Sequence, residues 1–176
     1  CLIYTPIFKS VVLLFIFLHT TGFGQSSIWS NPITGNNPNT SNPYTTGDVK
    51  NANINVSGIR RGSGIAGVNA NGLYSASGWT DATNINTSDY FEFTITPNSG
   101  YEINYTSFSY NGTVNSTGPG RFVLRSSVDN YTTNIDNDKS GTTSNSFSFG
   151  NSFENVSTAI TFRLYGYRSG NAASSV

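Results

Sequence analysis

The chain is poor in the residues that carry most protein chemistry. Its 176 residues include one Cys, one His and no Met. Cys1 and His19 both lie in the first 24 residues, so the remainder has neither a thiol nor an imidazole. Residues 25–176 therefore have no disulfide bond, no Ser-His-Asp triad, no cysteine nucleophile and no histidine-ligated zinc. Burial of aromatic and aliphatic side chains must stabilise the fold.

Charged residues are also scarce, and their signs balance. Nine basic and nine acidic residues give a net charge of zero. Binding to a nucleic-acid backbone needs concentrated positive charge, so we expect no nucleic-acid partner. Without His or Cys, catalysis would depend on carboxylates, which leaves a carboxylate-dependent glycoside hydrolase as the alternative to a protein without enzymatic activity. We expect no enzymatic activity.

The first 24 residues predict a secretory signal peptide. Lys9 precedes the apolar run Val11–Leu18, and Gly22-Phe23-Gly24 forms a small-x-small cleavage site. A membrane anchor is the alternative, but eight apolar residues fall short of the roughly 20 that span a bilayer. We expect a secreted, extracellular or cell-surface protein with no membrane contact after cleavage. Because Met is absent, we also expect that the sequence lacks its initiator.

Residues 25–47 predict an irregular N-terminal lead or linker. They contain three Asn-Pro pairs and almost no periodicity. Trp29 suggests a residue on which a sugar could stack, but we expect it to pack, with Ile28, on the edge of the following domain. Residues 48–176 then form that domain.

Alternating apolar and polar residues mark the strands. In Tyr90–Thr96, the residues Phe91, Phe93 and Ile95 alternate with Glu and Thr, a period of two that buries one face. Similar runs lie at 52–58, 73–80, 101–110, 121–128, 145–150 and 159–167. No amphipathic helix is visible. The sequence predicts an all-β fold, a two-layer antiparallel β-sandwich.

The turn residues 97–100 predict a hairpin between the strand that starts at Tyr90 and the run 101–110. The register that pairs the most apolar residues sets Ile95 opposite Ile103 and Phe93 opposite Tyr105. Phe108 and Tyr110 then fall on even rather than odd positions. Either this strand has a bulge or it crosses from one sheet to the other.

Glu92 and Glu102 are the most attractive catalytic pair, because this register places both on one face. Their separation along the hairpin would be roughly 13 Å. A glycoside hydrolase needs its two carboxyl groups about 5 to 9.5 Å apart. The spacing therefore argues against an active site at this pair.

Aromatic side chains are the candidate ligand-binding residues. They are Trp79, Tyr101, Tyr105, Tyr110 and Tyr131. Two or three coplanar rings facing solvent would indicate a module that binds or adheres to carbohydrate or another surface polymer. If all were buried, a structural spacer without a ligand would be favoured. For Trp79 we expect a place in the core.

The acidic segment 129–138 is a candidate calcium site. Asp129, Asp136 and Asp138, together with several Asn residues, could supply the oxygen ligands that Ca²⁺ prefers. The spacing of an EF-hand loop is absent, and solvated turns rich in Asp and Asn are common. Calcium stays a possible cofactor, and no other cofactor is expected.

Several phrases resemble a β-sandwich module that recurs in secreted proteins of Bacteroidetes. The phrases are SGIRRGSGI, SASGWT, YFEFTITPNSGYEINYTSFSY, GPGRFVLRSSVDNYTTNI and ITFRLYGYRS. The resemblance implies a jelly-roll-like fold, export, and neighbouring domains in a longer chain, often a type IX sorting domain. It implies no catalytic residues. Such modules continue into a last strand of the form (W/F)-R-(I/V)-D-N-(I/V), so we expect this chain to lack its last strand, which would leave an open sheet edge.

Overall fold

The computed structural model describes residues 26–80 and 83–167 of the chain. The strands are β1 (Trp29–Ser30), β2 (Val49–Lys50), β3 (Ile54–Val56), β4 (Arg60–Arg61), β5 (Ala66–Val68), β6 (Ser75–Ser77), β7 (Tyr90–Pro97), β8 (Ser107–Gly112), β9 (Arg121–Ser126), β10 (Lys139–Ser140), β11 (Thr143–Ser148) and β12 (Ile160–Tyr167). Helical structure in these ranges is limited to short 3-10 turns at Pro38–Thr40, Ser127–Asp129 and Asn151–Phe153. None of these helices is long or apolar enough to traverse a bilayer. The predicted signal peptide, 1–24, and the end of the chain, 168–176, lie outside the described residues.

A central antiparallel sheet forms the first layer. Its strand order is β10-β9-β12-β7-β3, and β4 also pairs with β7. The long strand β12 lies in the middle, where Leu164 pairs with Phe91 on one side and with Leu124 on the other. Because side chains alternate along a strand, one face of this sheet collects the apolar residues. Phe93, Ile95, Phe122, Leu124, Phe162 and Leu164 from that face are all buried in one core cluster.

The second layer covers part of this apolar face. Its strands β8 and β11 pair antiparallel, with Phe108 opposite Phe147. The rings of these two residues stack at an interplanar angle of 15°, and Phe147 is completely buried. Phe153 from the last 3-10 turn extends the cover over the core. The described chain is thus an antiparallel β-sandwich, as the sequence predicts.

The predicted hairpin register is wrong. Ile95 pairs with Ile160 and Phe93 with Phe162, both on β12, rather than with Ile103 and Tyr105. The turn forms, since the Tyr101 N–H donates to the Asn98 carbonyl at 3.0 Å. The turn leads away from the central sheet, and the run 101–110 continues into β8 of the other layer. Ile103 forms an isolated bridge with Val156 before the chain enters β8.

Residues 26–47 contain more structure than an irregular lead. Strand β1 pairs with β2, so Trp29 lies opposite Lys50. The Trp29 ring packs on Phe93, with the ring centroids 4.9 Å apart. Ile28 packs against the same core. Packing of these two residues on the sandwich agrees with the sequence prediction.

Candidate binding groove

An open groove lies between the central sheet, the second layer and the segments 26–33 and 72–79. It has a volume of about 1380 Å³. Trp29 and Trp79 line one part of it, and Phe108 and Tyr110 on β8 line another. Its floor includes Phe91, Phe93, Phe122 and Leu164 from the apolar face of the central sheet. We call this feature the inter-sheet groove.

At one end of the groove, two rings from different elements share one floor ring. The Trp29 and Phe108 centroids lie 4.9 Å and 5.0 Å from the Phe93 centroid. The two wall rings are therefore no more than about 10 Å apart.

The other end repeats the arrangement around Phe122. The Trp79 and Tyr110 centroids lie 5.7 Å and 6.0 Å from the Phe122 centroid, both in edge-on geometry. Gly166 on β12 makes room for the indole, because a Cβ there would come within 2.7 Å of the Trp79 ring. A glycine inside a strand is otherwise unfavourable, so its role at this position is the close approach of Trp79.

Hydrogen bonds hold both indoles in place. The Trp29 Nε1–H donates to the Asp48 carboxylate at 2.7 Å. The Trp79 Nε1–H donates to the Ala76 carbonyl at 3.0 Å. Their apolar faces are thus oriented before any ligand arrives, which lowers the entropy lost on binding.

Among the residues that the structure describes, the lining of the groove includes no acidic and no basic side chain. Its polar residues are neutral: Asn31, Asn104, Asn111, Asn115 and Asn145, together with several Ser and Thr. An ion entering this space would lose hydration without gaining a counter-charge. The groove therefore favours an uncharged occupant.

Tyr105 brings one unpaired polar group to the groove. It lines the groove and is only 7% exposed. Its hydroxyl has no hydrogen-bond partner among the described residues. Burial raises the pKa of Tyr105, so the group stays neutral. A buried hydroxyl without a partner costs free energy, and a ligand atom that paired with it would recover that cost.

Tyr110 differs from Tyr105 because its hydroxyl is paired. It donates to the Ser140 carbonyl at 3.0 Å. Burial raises the pKa of Tyr110 to about 12. Its ring stacks on Phe108 and Phe147 at interplanar angles of 23° and 20°. Three near-parallel rings thus support this wall.

Strand β8 borders the groove with an edge that pairs with no other strand in residues 26–80 and 83–167. The Phe149 N–H donates to the Thr106 carbonyl at 3.0 Å, and in an antiparallel pair every second residue bonds to the partner strand. The even-numbered residues of β8 therefore direct their backbone N–H and C=O groups toward β11. On β11, the Ser148 N–H points away from β8 and donates to Asp136, which agrees with this alternation. The residues of β8 that direct their backbone N–H and C=O away from β11 are Ser107, Ser109 and Asn111.

The five aromatic residues predicted as ligand-binding do not form one row. Trp79, Tyr105 and Tyr110 line the groove, but they pack against core rings rather than presenting free faces. Tyr101 is 49% exposed and does not line the groove. Tyr131 lies elsewhere, with the Arg163 guanidinium 3.9 Å from its ring centroid.

The acidic residues predicted to bind calcium have separate partners. Asp129 accepts hydrogen bonds from Thr132 and Thr133. Asp136 pairs with Lys139 at 3.1 Å.

Asp138 accepts a hydrogen bond from the Tyr167 hydroxyl at 2.9 Å. Within 26–80 and 83–167, no three His, Cys, Asp or Glu side chains come together as a metal site would need.

Glu92 forms an ion pair with Arg163. Its carboxylate accepts a hydrogen bond from Arg163 Nε at 2.7 Å. The Arg163 guanidinium also lies 4.3 Å from the Tyr90 ring centroid. Glu102 is exposed and follows the turn into the other layer. The spacing predicted for Glu92 and Glu102 depended on the incorrect hairpin register, so it no longer describes this pair.

Sequence reasoning missed Phe108 as a wall residue and the free edge of β8. The one sequence signal for Phe108 is its even position. Trp29, which the sequence predicts to pack on the domain, packs on Phe93 and also lines the groove.

Comparison of the chain with protein-family models, curated proteins and solved structures gives no match. The groove itself therefore has to carry the functional argument.

Proposed function

We propose that this chain is a non-catalytic binding or adhesion module of a secreted protein, and that an uncharged surface polymer, carbohydrate or protein, occupies the inter-sheet groove. The single observation that supports it most is the groove itself. It combines apolar rings with neutral amides and hydroxyls, and no ionised side chain is among the described residues that line it. Binding sites for organic ligands commonly join an apolar concave surface to a few polar groups.

The volume of the groove, about 1380 Å³, is larger than the roughly 300–1,000 Å³ of small-molecule pockets and supports a polymer as the occupant. Its lining runs from Trp29 past Phe93 to Trp79 and Phe122, and it is open to solvent. The unpaired Tyr105 hydroxyl supplies a polar group that a ligand could satisfy. Each of these features favours an elongated ligand held by ring contacts and a few hydrogen bonds.

An array of immobilised polymers tests this proposal. It should carry neutral glucans, mannans and xylans, charged alginate, and uncharged peptides. We expect the full chain to bind at least one neutral class and not alginate. Trp79→Ala should weaken that binding about tenfold, the effect of losing roughly 1.4 kcal/mol of contact. Tyr101→Ala, which removes a large ring outside the groove, is the matched control and should bind normally.

Absence of binding to every neutral polymer would count against the proposal and favour the second candidate, a spacer domain that holds neighbouring domains apart. The packing of the predicted aromatic residues supports that candidate, since only Tyr101 among them is largely exposed. In a spacer, Trp79→Ala would lower stability without changing any binding. The two functions therefore differ in a measurable way.

A further inference from the structure

We propose that the occupant of the inter-sheet groove is an extended, uncharged polypeptide strand that pairs with the free edge of β8. This inference rests on the proposed binding function and names the partner for the same site. The second layer has only two paired strands in the described part of the chain, β8 and β11. A two-stranded sheet is marginally stable, and a third strand is the usual remedy.

The edge of β8 has the hydrogen-bonding pattern that a strand requires. Ser107, Ser109 and Asn111 line the groove, and their backbone N–H and C=O groups point away from β11. Such groups recur at every second residue, which is the repeat of an antiparallel partner. Peptides that add a strand to an open sheet edge gain affinity from this ladder.

The floor and the charge of the groove define the side chains of that strand. A strand on β8 would direct every second residue toward the apolar floor, where the partly buried rings of Phe91, Trp29 and Trp79 line the groove. The described lining has no ionised group, which selects a strand with neutral residues, since a charged side chain would find no counter-charge there. The partner should therefore alternate Val or Ile with Thr or Asn.

The same observations favour a peptide over a neutral polysaccharide. Sugars bind proteins by stacking on free ring faces, whereas Phe93 and Phe122 are each 5% exposed and already contact neighbouring rings. A peptide needs only side-chain insertion and a backbone ladder. The buried Tyr105 hydroxyl adds a hydrogen bond for a group placed deep in the groove.

Hydrogen exchange with a defined probe tests the proposal. The probe is an uncharged, end-capped peptide of about nine residues that alternates Val or Ile with Thr, which is long enough to form a strand of typical length. We expect it to slow exchange at the amides of Ser107, Ser109 and Asn111 in the full chain. Probes with N-methyl groups on the edge that would face β8 should bind at least about tenfold more weakly, because they cannot form the ladder.

Two matched variants locate the site. Ser109→Pro removes an N–H from the groove edge of the two-stranded sheet, and Ser148→Pro removes one from its opposite edge, at a position outside the groove lining. The Ser148 N–H donates to the Asp136 carboxylate at 3.0 Å, so this variant controls for the loss of one edge N–H away from the groove. We expect Ser109→Pro to weaken peptide binding about tenfold and Ser148→Pro to leave it unchanged.

Equal effects of the two proline variants, or equal binding of the N-methylated probe, would overturn the inference. If a neutral polysaccharide binds the groove and no peptide displaces it, the strand proposal fails but the proposed binding function is supported. If neither peptide nor polysaccharide binds, both proposals fail. The N-methylated probe needs no change in the protein, so this test holds even if a proline variant does not fold.

Discussion

Two regions of the same apolar sheet face differ in how completely they are covered. Around Phe162, three rings from outside the central sheet, those of Tyr105, Phe149 and Phe153, lie with centroids 5.3 to 6.2 Å from it. Phe162 is 1% exposed. Around Trp79, the described residues that make ring contacts are Phe91 and Phe122, both on the sheet, and the groove begins.

The difference arises from the second layer rather than from the residue types. Both regions are rich in Phe, Tyr and Trp, but Phe153 and the segment before β8 cover the first. Complete packing contributes to the free energy of unfolding, whereas incomplete packing leaves surface that a ligand can bury. We therefore expect mutations in the closed region to act on stability and mutations at the groove to act mainly on binding.

The largest effect is expected at Phe162. Replacing it with Ala should leave a cavity in the closed region and lower the free energy of unfolding by about 3–5 kcal/mol. Denaturant unfolding followed by intrinsic fluorescence measures this change. A loss under about 1 kcal/mol would mean that the region is not closely packed.

Trp79→Ala tests the groove region, for comparison with Phe162→Ala in the closed region. The ring is larger than that of Phe162, but it is only partly buried and borders open space. We expect a loss of about 2 kcal/mol in the free energy of unfolding, which is less than for a fully buried ring. If the two losses were equal in the same denaturant experiment, the groove would have to be closed in solution.

High pH should destabilise the fold through tyrosines at the boundary of the two regions. The unfolded chain ionises its tyrosines near pH 10, whereas burial raises the pKa of Tyr110 to about 12. Between these values the unfolded state binds fewer protons, so the free energy of unfolding falls as pH rises. Below about pH 10 the contribution is fully present. Denaturant unfolding at several pH values should show a smaller alkaline slope for Tyr110→Phe.

Tyr105→Phe should produce the smallest effect, with the opposite sign. It removes the buried hydroxyl that has no partner in the described chain, so the free energy of unfolding should rise by up to about 1 kcal/mol. Ligand binding in the groove should weaken, since the hydroxyl is offered to the ligand. A destabilised variant would show that the hydroxyl is already paired, for example by water.

Much of the strand pattern could be predicted from the sequence. The run from Tyr90 alternates apolar and polar residues, and it forms β7 at Tyr90–Pro97. The runs at 121–128 and 159–167 likewise contain β9 and β12. Such a period is a local property, because it reflects only which side of each strand becomes buried.

Strand pairing could not be predicted in the same way. β7 has apolar residues that would match many partners. The nearest partner in the sequence is the run 101–110, whereas the observed partner is β12. The groove is less predictable still. Trp29, Trp79 and Phe108 come from three separate segments, and no local pattern links them.

The sequence by itself determined that this chain builds antiparallel sheets from aromatic and aliphatic residues, without thiols or imidazoles after residue 24. Only the tertiary structure decided which strands pair, which rings of the apolar face line the groove, and which edge of β8 has no partner strand among the described residues. The physical reason is that alternation specifies the buried side of each strand locally, whereas pairing and coverage depend on contacts between residues far apart in the chain.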